Sequence, residues 1–393
     1  MAATIGVAMT TPGQTVGVSV FVDRIVESLN ISRPTVSLLY AIGTLGGSLA
    51  LPFVGRAIDR YGPRLAVVAI SLLFAGGCVW MGWVQGTAML LVGFILIRSL
   101  GQGSLTLVSL HAISLWFVRR RGTALGLAGL GMAGATAIFP RFIEFLLEQF
   151  GWRVAYQILG GVVAIAMLPI GALFYRNRPE LFGLQPDGGE TGEEDDPPDE
   201  LNYTASQARR IPIFWLFALA NVCAVGLGTG LVFHHYSIME ASGASRELSA
   251  TMFVPFGFVM AGANVLVGFL MDRVSPRWLL MGMLLLLSLA LAVAPNVSTT
   301  GGMLAYGSVL GLMQGSSVTL NSGVYAYYFG RSHIGAINGF ASTLSVAGTA
   351  FGPILLATGY EYSGSYAPIL FTCAIVPLAI AIAAPFVPAP PRS

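Results

Sequence analysis

Arg98 stands about ten residues into the apolar stretch 88–116 and is the one clear charge in the interior of any such stretch. A charge placed there is expensive, at least about 2.5–3.5 kcal/mol on insertion scales, so a functional role is the first reading. At α-helical spacing Gln102 lies one turn further on the same face, and Thr106 and Ser109 continue along it. A guanidinium does not usefully deprotonate. Arg98 would therefore bind or gate, and a fixed positive charge in apolar surroundings attracts an anion. The competing reading is structural: Arg98 pairs with helix-end carbonyls, or with a group such as Gln14, and holds helices together.

Polar residues at helical spacing elsewhere are the other binding candidates. Thr10, Thr11 and Gln14 flank a Pro12-Gly13 break that would loosen the backbone near a site. Tyr40, Thr44 and Ser48 fall at i, i+4 and i+8, and Gln314, Ser317, Asn321 and Tyr325 follow one face. Asn221, Asn264, Asn338 and Ser342 stand in three further apolar stretches. Each of these also suits a plain helix–helix hydrogen bond. His234 and His235, beside Tyr236, could titrate between about pH 5 and 8 and couple protons without a carboxylate. They equally suit an anchor at the membrane interface. Arg141 is placed where it could snorkel to water or draw anions inward.

What is missing excludes whole classes. No Asp or Glu falls inside the apolar stretches, so a carboxylate proton relay has no carrier there. No metal-ligand set, nucleophile–base arrangement or nucleotide motif is present, which argues for no enzyme, metal or cofactor. All 20 basic residues are arginine, and without lysine there is no Schiff base or P-loop. Cys78, Cys223 and Cys373 lie scattered in apolar stretches as small packing residues. The net charge of +2 offers no surface for nucleic acid.

The elements that must position these residues follow from composition. The 393 residues are 55% hydrophobic and only 10% charged, against roughly 25% charged in soluble domains. About twelve stretches of roughly 20 residues can each cross a bilayer. They run over 3–22, 35–55, 65–84, 88–116, 122–143, 153–175, 212–236, 249–271, 278–295, 302–328, 334–356 and 366–387. Period-two alternation is absent, so helices rather than barrel strands are expected. Arg56, Arg60, Arg64, Arg119, Arg120, Arg121, Arg176, Arg178, Arg209, Arg210, Arg273, Arg277 and Arg331 all fall on one side. By the positive-inside rule that side is cytoplasmic, and so are both termini. The stretch 176–210 is polar and acidic and reads as a flexible cytoplasmic linker. No cleavable signal peptide is visible.

The chain also repeats itself. Gly55-Arg56-Ala57-Ile58-Asp59-Arg60-Tyr61-Gly62-Pro63-Arg64 returns as Gly268-Phe269-Leu270-Met271-Asp272-Arg273-Val274-Ser275-Pro276-Arg277. Gln102-Gly103-Ser104 returns as Gln314-Gly315-Ser316, Pro140 as Pro353 and Gly151 as Gly364. Two similar halves in a membrane chain are a mark of alternating access. Glycines 126, 129, 131 and 134, and 335, 339, 348 and 352, recur in both halves and suggest close packing between them.

The Gly-x-x-x-Asp-Arg-x-Gly-x-Arg pattern at Gly55, Asp59, Arg60, Gly62 and Arg64 resembles the signature of the major facilitator superfamily. Its second copy, at Gly268, Asp272, Arg273 and Arg277, has Ser275 in place of glycine. The resemblance implies an all-α polytopic membrane protein with 12 transmembrane helices in two pseudo-symmetric six-helix bundles. The bundles would be 1–175 and 211–393, joined by the linker 176–210. It further implies that Asp59 faces the N-terminal end of a neighbouring helix, where the dipole favours it. With their arginines, Asp59 and Asp272 would latch the inner gate. Arg98-x-x-x-Gln102-Gly103 resembles the family's fourth-helix arginine motif. Trp116-Phe117-x-Arg119-Arg120-Arg121-Gly122 and Tyr328-Phe329-Gly330-Arg331 look like monocarboxylate and oxalate:formate porters. Those porters usually carry an arginine in the eighth helix, where this chain has Asn264, and the eleventh stretch has no interior basic residue.

The resulting expectation is a secondary-active transporter, symporter or antiporter, working by alternating access on a small organic anion such as a monocarboxylate. Export of drugs or of neutral or amphipathic metabolites, and a non-transporting membrane sensor, are the alternatives. Arg98, Gln102, Gln14, Tyr40, Asn264, Gln314 and Asn321 are the expected substrate contacts, and His234 and His235 the candidates for proton coupling. The expected partners are the bilayer and a small anionic substrate. The expected setting is a monomer in a bacterial inner membrane.

Overall fold

In hydrocarbon an apolar stretch can satisfy its peptide groups only within itself, so each must be helical. The computed structural model is helical in all of them. It describes residues 1–116, 121–177, 203–271, 273–329 and 334–388. Asp272, Arg119, Arg120, Arg331 and most of the acidic linker lie outside the described residues, as do the side chains of Arg56, Asp59, Asn338 and Ser342. The chain divides into two compact units, residues 1–191 and 192–393.

In the first unit the opening span is two helices, α1 (Ala2–Ala8) and α2 (Thr15–Leu29), parted by a 3-10 turn over Thr11–Gly13. The second span is α3 (Arg33–Tyr61), whose N-cap Ser32 accepts the Thr35 N–H at 3.3 Å. Gly62, at φ 81, ends α3, and Pro63 opens α4 (Pro63–Gly82), the first helical position being one that needs no N–H. The fourth span is α5 (Thr87–Ile97), a π-helical turn over Arg98–Leu105, and α6 (Thr106–Trp116). The fifth and sixth spans form one run, α7 (Arg121–Leu173), broken at Gly151 where φ is 73.

The second unit opens with the short α8 (Ala205–Ala208) and the seventh span α9 (Pro212–Phe233). Two short helices follow, α10 (His235–Ala241) and α11 (Arg246–Ala250). The last five spans are α12 (Phe253–Met271), α13 (Pro276–Val293), α14 (Thr300–Phe329), α15 (Ile334–Ser363) and α16 (Tyr366–Ala383). Each unit thus supplies six of twelve spans.

The repeat in the sequence is a repeat in packing. In the first unit α3 lies along α5 and the π turn, and α1 and α2 along α7. In the second, α12 lies along α14 and α9 along α15. Gly151 and Gly364 make equivalent turns at φ 73 and 70, and Pro140 and Pro353 sit inside equivalent helices. Ser275 replaces Gly62 without strain, because φ there is −55 rather than 81.

Two expectations are corrected. Gly348 and Gly352, expected to pack between halves, pack against α9 of their own unit. A methyl group on Gly226 would lie 2.9 Å from the Gly348 carbonyl oxygen, and one on Gly230 3.0 Å from that of Gly352. Gly131 likewise meets Thr4 of α1. Carboxylates are also not confined to helix ends: α2 runs on past Asp23, which is buried and ion-paired with Arg33, and Glu144 is buried on α7.

Candidate functional site

Arg98 opens the π turn of the fourth span and is 2% exposed. Its Nε donates to the Thr44 hydroxyl at 2.9 Å and its Nη1 to the Gly13 carbonyl at 3.0 Å. The guanidinium lies 4.6 Å over the Tyr40 ring, a cation–π contact that strengthens once water is excluded. The remaining nitrogen, Nη2, is buried with no acceptor, and among the described residues no carboxylate pairs with Arg98.

Local sequence builds this arrangement. Tyr40 and Thr44 are one turn apart on α3, so ring and hydroxyl meet the same side chain. The Thr44 hydroxyl donates to the Tyr40 carbonyl at 2.9 Å, which leaves its oxygen lone pairs for Arg98. The Tyr40 hydroxyl is held by Thr15 at 2.7 Å, and the ring stands edge-on to Phe94 at 5.7 Å. Gly13 is the residue that lets the break close on the π turn, because a side chain there would strike the Ile97 carbonyl. π turns inside α-helices are frequent at functional sites.

The structure brings Arg98, Tyr40 and Thr44 together around the Pro12-Gly13 break. Gln14 adjoins the break but does not bond Arg98; its Nε2 donates to the Thr10 hydroxyl at 3.1 Å. Gln102 lies inside the π turn, whose wider winding departs from the α-helical register expected for Arg98, Gln102 and Thr106. Ser109 bonds the Tyr175 hydroxyl at 3.0 Å. The Gly13 carbonyl, at the end of the 3-10 turn, is a helix-end carbonyl of the kind the structural reading of Arg98 named; the contact not foreseen is the Thr15 hydroxyl.

The second unit holds a separate polar cluster. Asn221 of α9 donates to Ser345 of α15 at 2.6 Å and accepts from Ser317 of α14 at 3.1 Å. Asn321, one turn from Ser317, leaves Oδ1 without a donor, and Gln314 approaches α9 at Gly228. Asn264 accepts from the Thr319 hydroxyl at 3.1 Å through Oδ1, tying α12 to α14.

The two histidines differ. His235 donates Nε2–H to the Ser249 carbonyl at 2.9 Å, and its Nδ1 has no partner. His234 donates Nε2–H to the Pro353 carbonyl at 2.9 Å, with its Nδ1 3.5 Å from the Tyr366 hydroxyl. Both are fully buried.

In the repeated loop motif, Arg64 Nε donates to the Ala172 carbonyl at 2.9 Å, in the last turn of α7, where a cation suits the helix dipole. Arg60 lies 5.3 Å over Tyr61 and Arg273 3.5 Å over Phe269, while Arg277 Nε is buried without an acceptor. Gly55 borders open space, and Gly268 nearly so.

The sequence model of the Major Facilitator Superfamily matches residues 3–261 and 232–393. The chain is 26% identical over 339 residues to "Monocarboxylate transporter 11" of Mus musculus, covering 81% of this chain and 71% of that one. It is 24% identical over 349 residues to "Probable nitrate/nitrite transporter NarK2" of Mycobacterium tuberculosis, covering 85% and 82%. Among solved structures, a D-xylose-proton symporter superposes with a TM-score of 0.72 at 14% identity, over 99% of this chain and 97% of the other. A bacterial homolog of the human lysosomal transporter Spinster gives 0.70 at 17% identity, over 98% and 94%.

Proposed function

The chain belongs to the major facilitator superfamily, a family of membrane transporters, and we propose that it carries a small oxyanion, with a monocarboxylate as the first candidate. One observation carries this reading: Arg98 is buried in the first unit with an unused Nη2 and no carboxylate partner among the described residues. A lone guanidinium is costly in apolar surroundings unless something compensates it. A bound anion supplies that compensation while loaded, and its departure leaves Arg98 to the Gly13 carbonyl and the Tyr40 ring. The printed names of the relatives, monocarboxylate and nitrate/nitrite transporter, both specify planar oxyanions. The absence of an arginine from the eighth span makes Arg98 the main electrostatic grip.

Alternating access between two six-helix units is the mechanism this family reading brings with it. The arginine-rich loops put both termini on the cytoplasmic side of what we take to be a bacterial inner membrane. The Asp59 and Asp272 motifs would latch the inner gate. Of the two histidines, His234 suits proton coupling. The Tyr366 hydroxyl can donate to a neutral Nδ1 or accept from a protonated one, whereas protonating His235 at Nδ1 adds a donor with nowhere to go.

The test is uptake of a panel of labelled carboxylates and nitrate into proteoliposomes, with and without an inward pH gradient. Saturable uptake of an oxyanion supports the reading. Absence of all such uptake from folded protein, with uptake of neutral or amphipathic compounds instead, would transfer the assignment to export of those compounds.

A further inference from the structure

The 3-10 turn in the first span ends at Gly13, and α2 starts at Thr15. The N-cap between them, Gln14, is extended, at φ −79 and ψ 157, and its side chain makes no capping bond. The first helical hydrogen bond of α2 runs from Val18 N–H to the Gln14 carbonyl at 2.9 Å. The N–H groups of Thr15, Val16 and Gly17 therefore have no acceptor inside the helix. Gly17 permits this abrupt start, because a side chain there would strike the Thr11 carbonyl. With 15 residues, α2 is long enough for its N-terminus to carry the positive end of a helix dipole.

The Gly13 carbonyl, immediately before this helix start, holds Arg98 Nη1 at 3.0 Å. Two positive groups thus adjoin one break: the half-buried start of α2 and a guanidinium 2% exposed, whose Nη2 has no acceptor among the described residues. They repel each other unless an anion lies between them, and helix starts with free N–H groups hold anions well.

We propose that the first turn of α2 and Arg98 Nη2 form the two halves of one oxyanion site. One oxygen of the anion accepts from Nη2, and a second accepts from the free N–H groups of the turn, that of Thr15 among them. The inference rests on the oxyanion reading above and adds that half of the grip is backbone. It also sets the ligand class: an anion with two oxygens on one centre, as in a carboxylate or nitrate, spans both halves, and a halide does not.

The experiment is thermal unfolding of the purified full chain in detergent, titrated with sodium formate, sodium nitrate or sodium chloride at constant ionic strength. Thr15→Pro deletes one N–H at a first helical position that accepts proline, after a residue already extended as proline requires. Thr15→Val deletes the hydroxyl that bonds Tyr40 but keeps the N–H. Loss of one hydrogen bond to a charged group corresponds to about tenfold in affinity. Formate and nitrate are expected to stabilise wild type, and Thr15→Pro only at about tenfold higher concentration than Thr15→Val, which lacks the same hydroxyl. Gln14→Ser, whose hydroxyl caps the same N–H groups, gives an independent check and is expected to weaken formate several-fold.

Equal titrations for Thr15→Pro, Gln14→Ser and Thr15→Val would overturn the backbone half, and chloride acting as well as formate would overturn the two-oxygen class. Arg98→Ala separates the layers. Loss of the formate effect there, with no difference among the other variants, leaves Arg98 as the grip without α2. An unchanged formate effect in Arg98→Ala removes the oxyanion reading itself.

Discussion

The Gly13 carbonyl oxygen and Arg98 Nη1 lie 3.0 Å apart, joining the broken first span to the π turn of the fourth. Two irregular backbone segments meet at one buried charge. Each irregularity has a local cause: Pro12 cannot continue α1, and Gly13 and Gly101 let the two segments close on each other. A buried guanidinium held by a carbonyl, a hydroxyl and a ring is stable enough to fold, yet retains a donor for a ligand.

Tyr40 supports that charge in two separable ways. Tyr40→Phe keeps the ring under Arg98 and loses the hydroxyl with its Thr15 contact, so transport is expected to stay within about threefold of wild type. Tyr40→Leu removes the cation–π contact, and its loss of about 0.5–2 kcal/mol should lower flux or stability by several-fold. Initial uptake rates and melting temperatures of the two variants check this. Equal effects would show that the ring does not matter.

The contact between α9 and α15 leaves no room for side chains. Gly226→Leu or Gly352→Leu forces the helices apart, and overpacking of this kind costs typically about 1–3 kcal/mol, more where backbone is struck. Reduced yield of monodisperse protein and a lowered melting temperature are expected. Gly129 and Gly134, which border open space in the first unit, should accept alanine with little change.

His234 and His235 are predicted to separate in a pH profile. His234→Gln should flatten the dependence of uptake on external pH. His235→Gln should lower stability, through the lost bond to the Ser249 carbonyl, and leave the shape of the profile unchanged. A profile that follows His235 instead would reverse the assignment.

Arg33 and the buried Asp23 join α3 to α2 at one end of the first unit. Arg33→Met leaves the Asp23 carboxylate without that partner, and removing one member of such a pair costs about 3 kcal/mol. Asp23→Asn should be milder, because Arg33 is partly exposed and can reach water. Thermal unfolding of both variants would show the asymmetry.

Much of this was legible in the residues themselves. Twelve apolar stretches, the paired loop motif and the recurrence of Gly151 as Gly364 specify the helices and their repeat, because helix length and turn glycines are local properties. Arg98 was legible because a charge inside an apolar stretch has few bland explanations. The π turn was harder to see. The spacing from Gly55 to Gln102 is one residue longer than that from Gly268 to Gln314, and an i→i+5 turn takes up one such residue. The partner of Gly348 and Gly352 was harder still, because spacing shows that two backbones approach, not which partner approaches. That a helix-end carbonyl could hold Arg98 was foreseen, but not that it would be that of Gly13, since every residue type carries one.

The most direct measurement is uptake of a labelled monocarboxylate into proteoliposomes by wild type, Arg98→Ala and Arg98→Lys, each shown to be folded. The account predicts saturable uptake by wild type, a loss of at least about a hundredfold in Arg98→Ala, and partial activity in Arg98→Lys, which keeps charge but not geometry. Uptake by Arg98→Ala equal to wild type would contradict it.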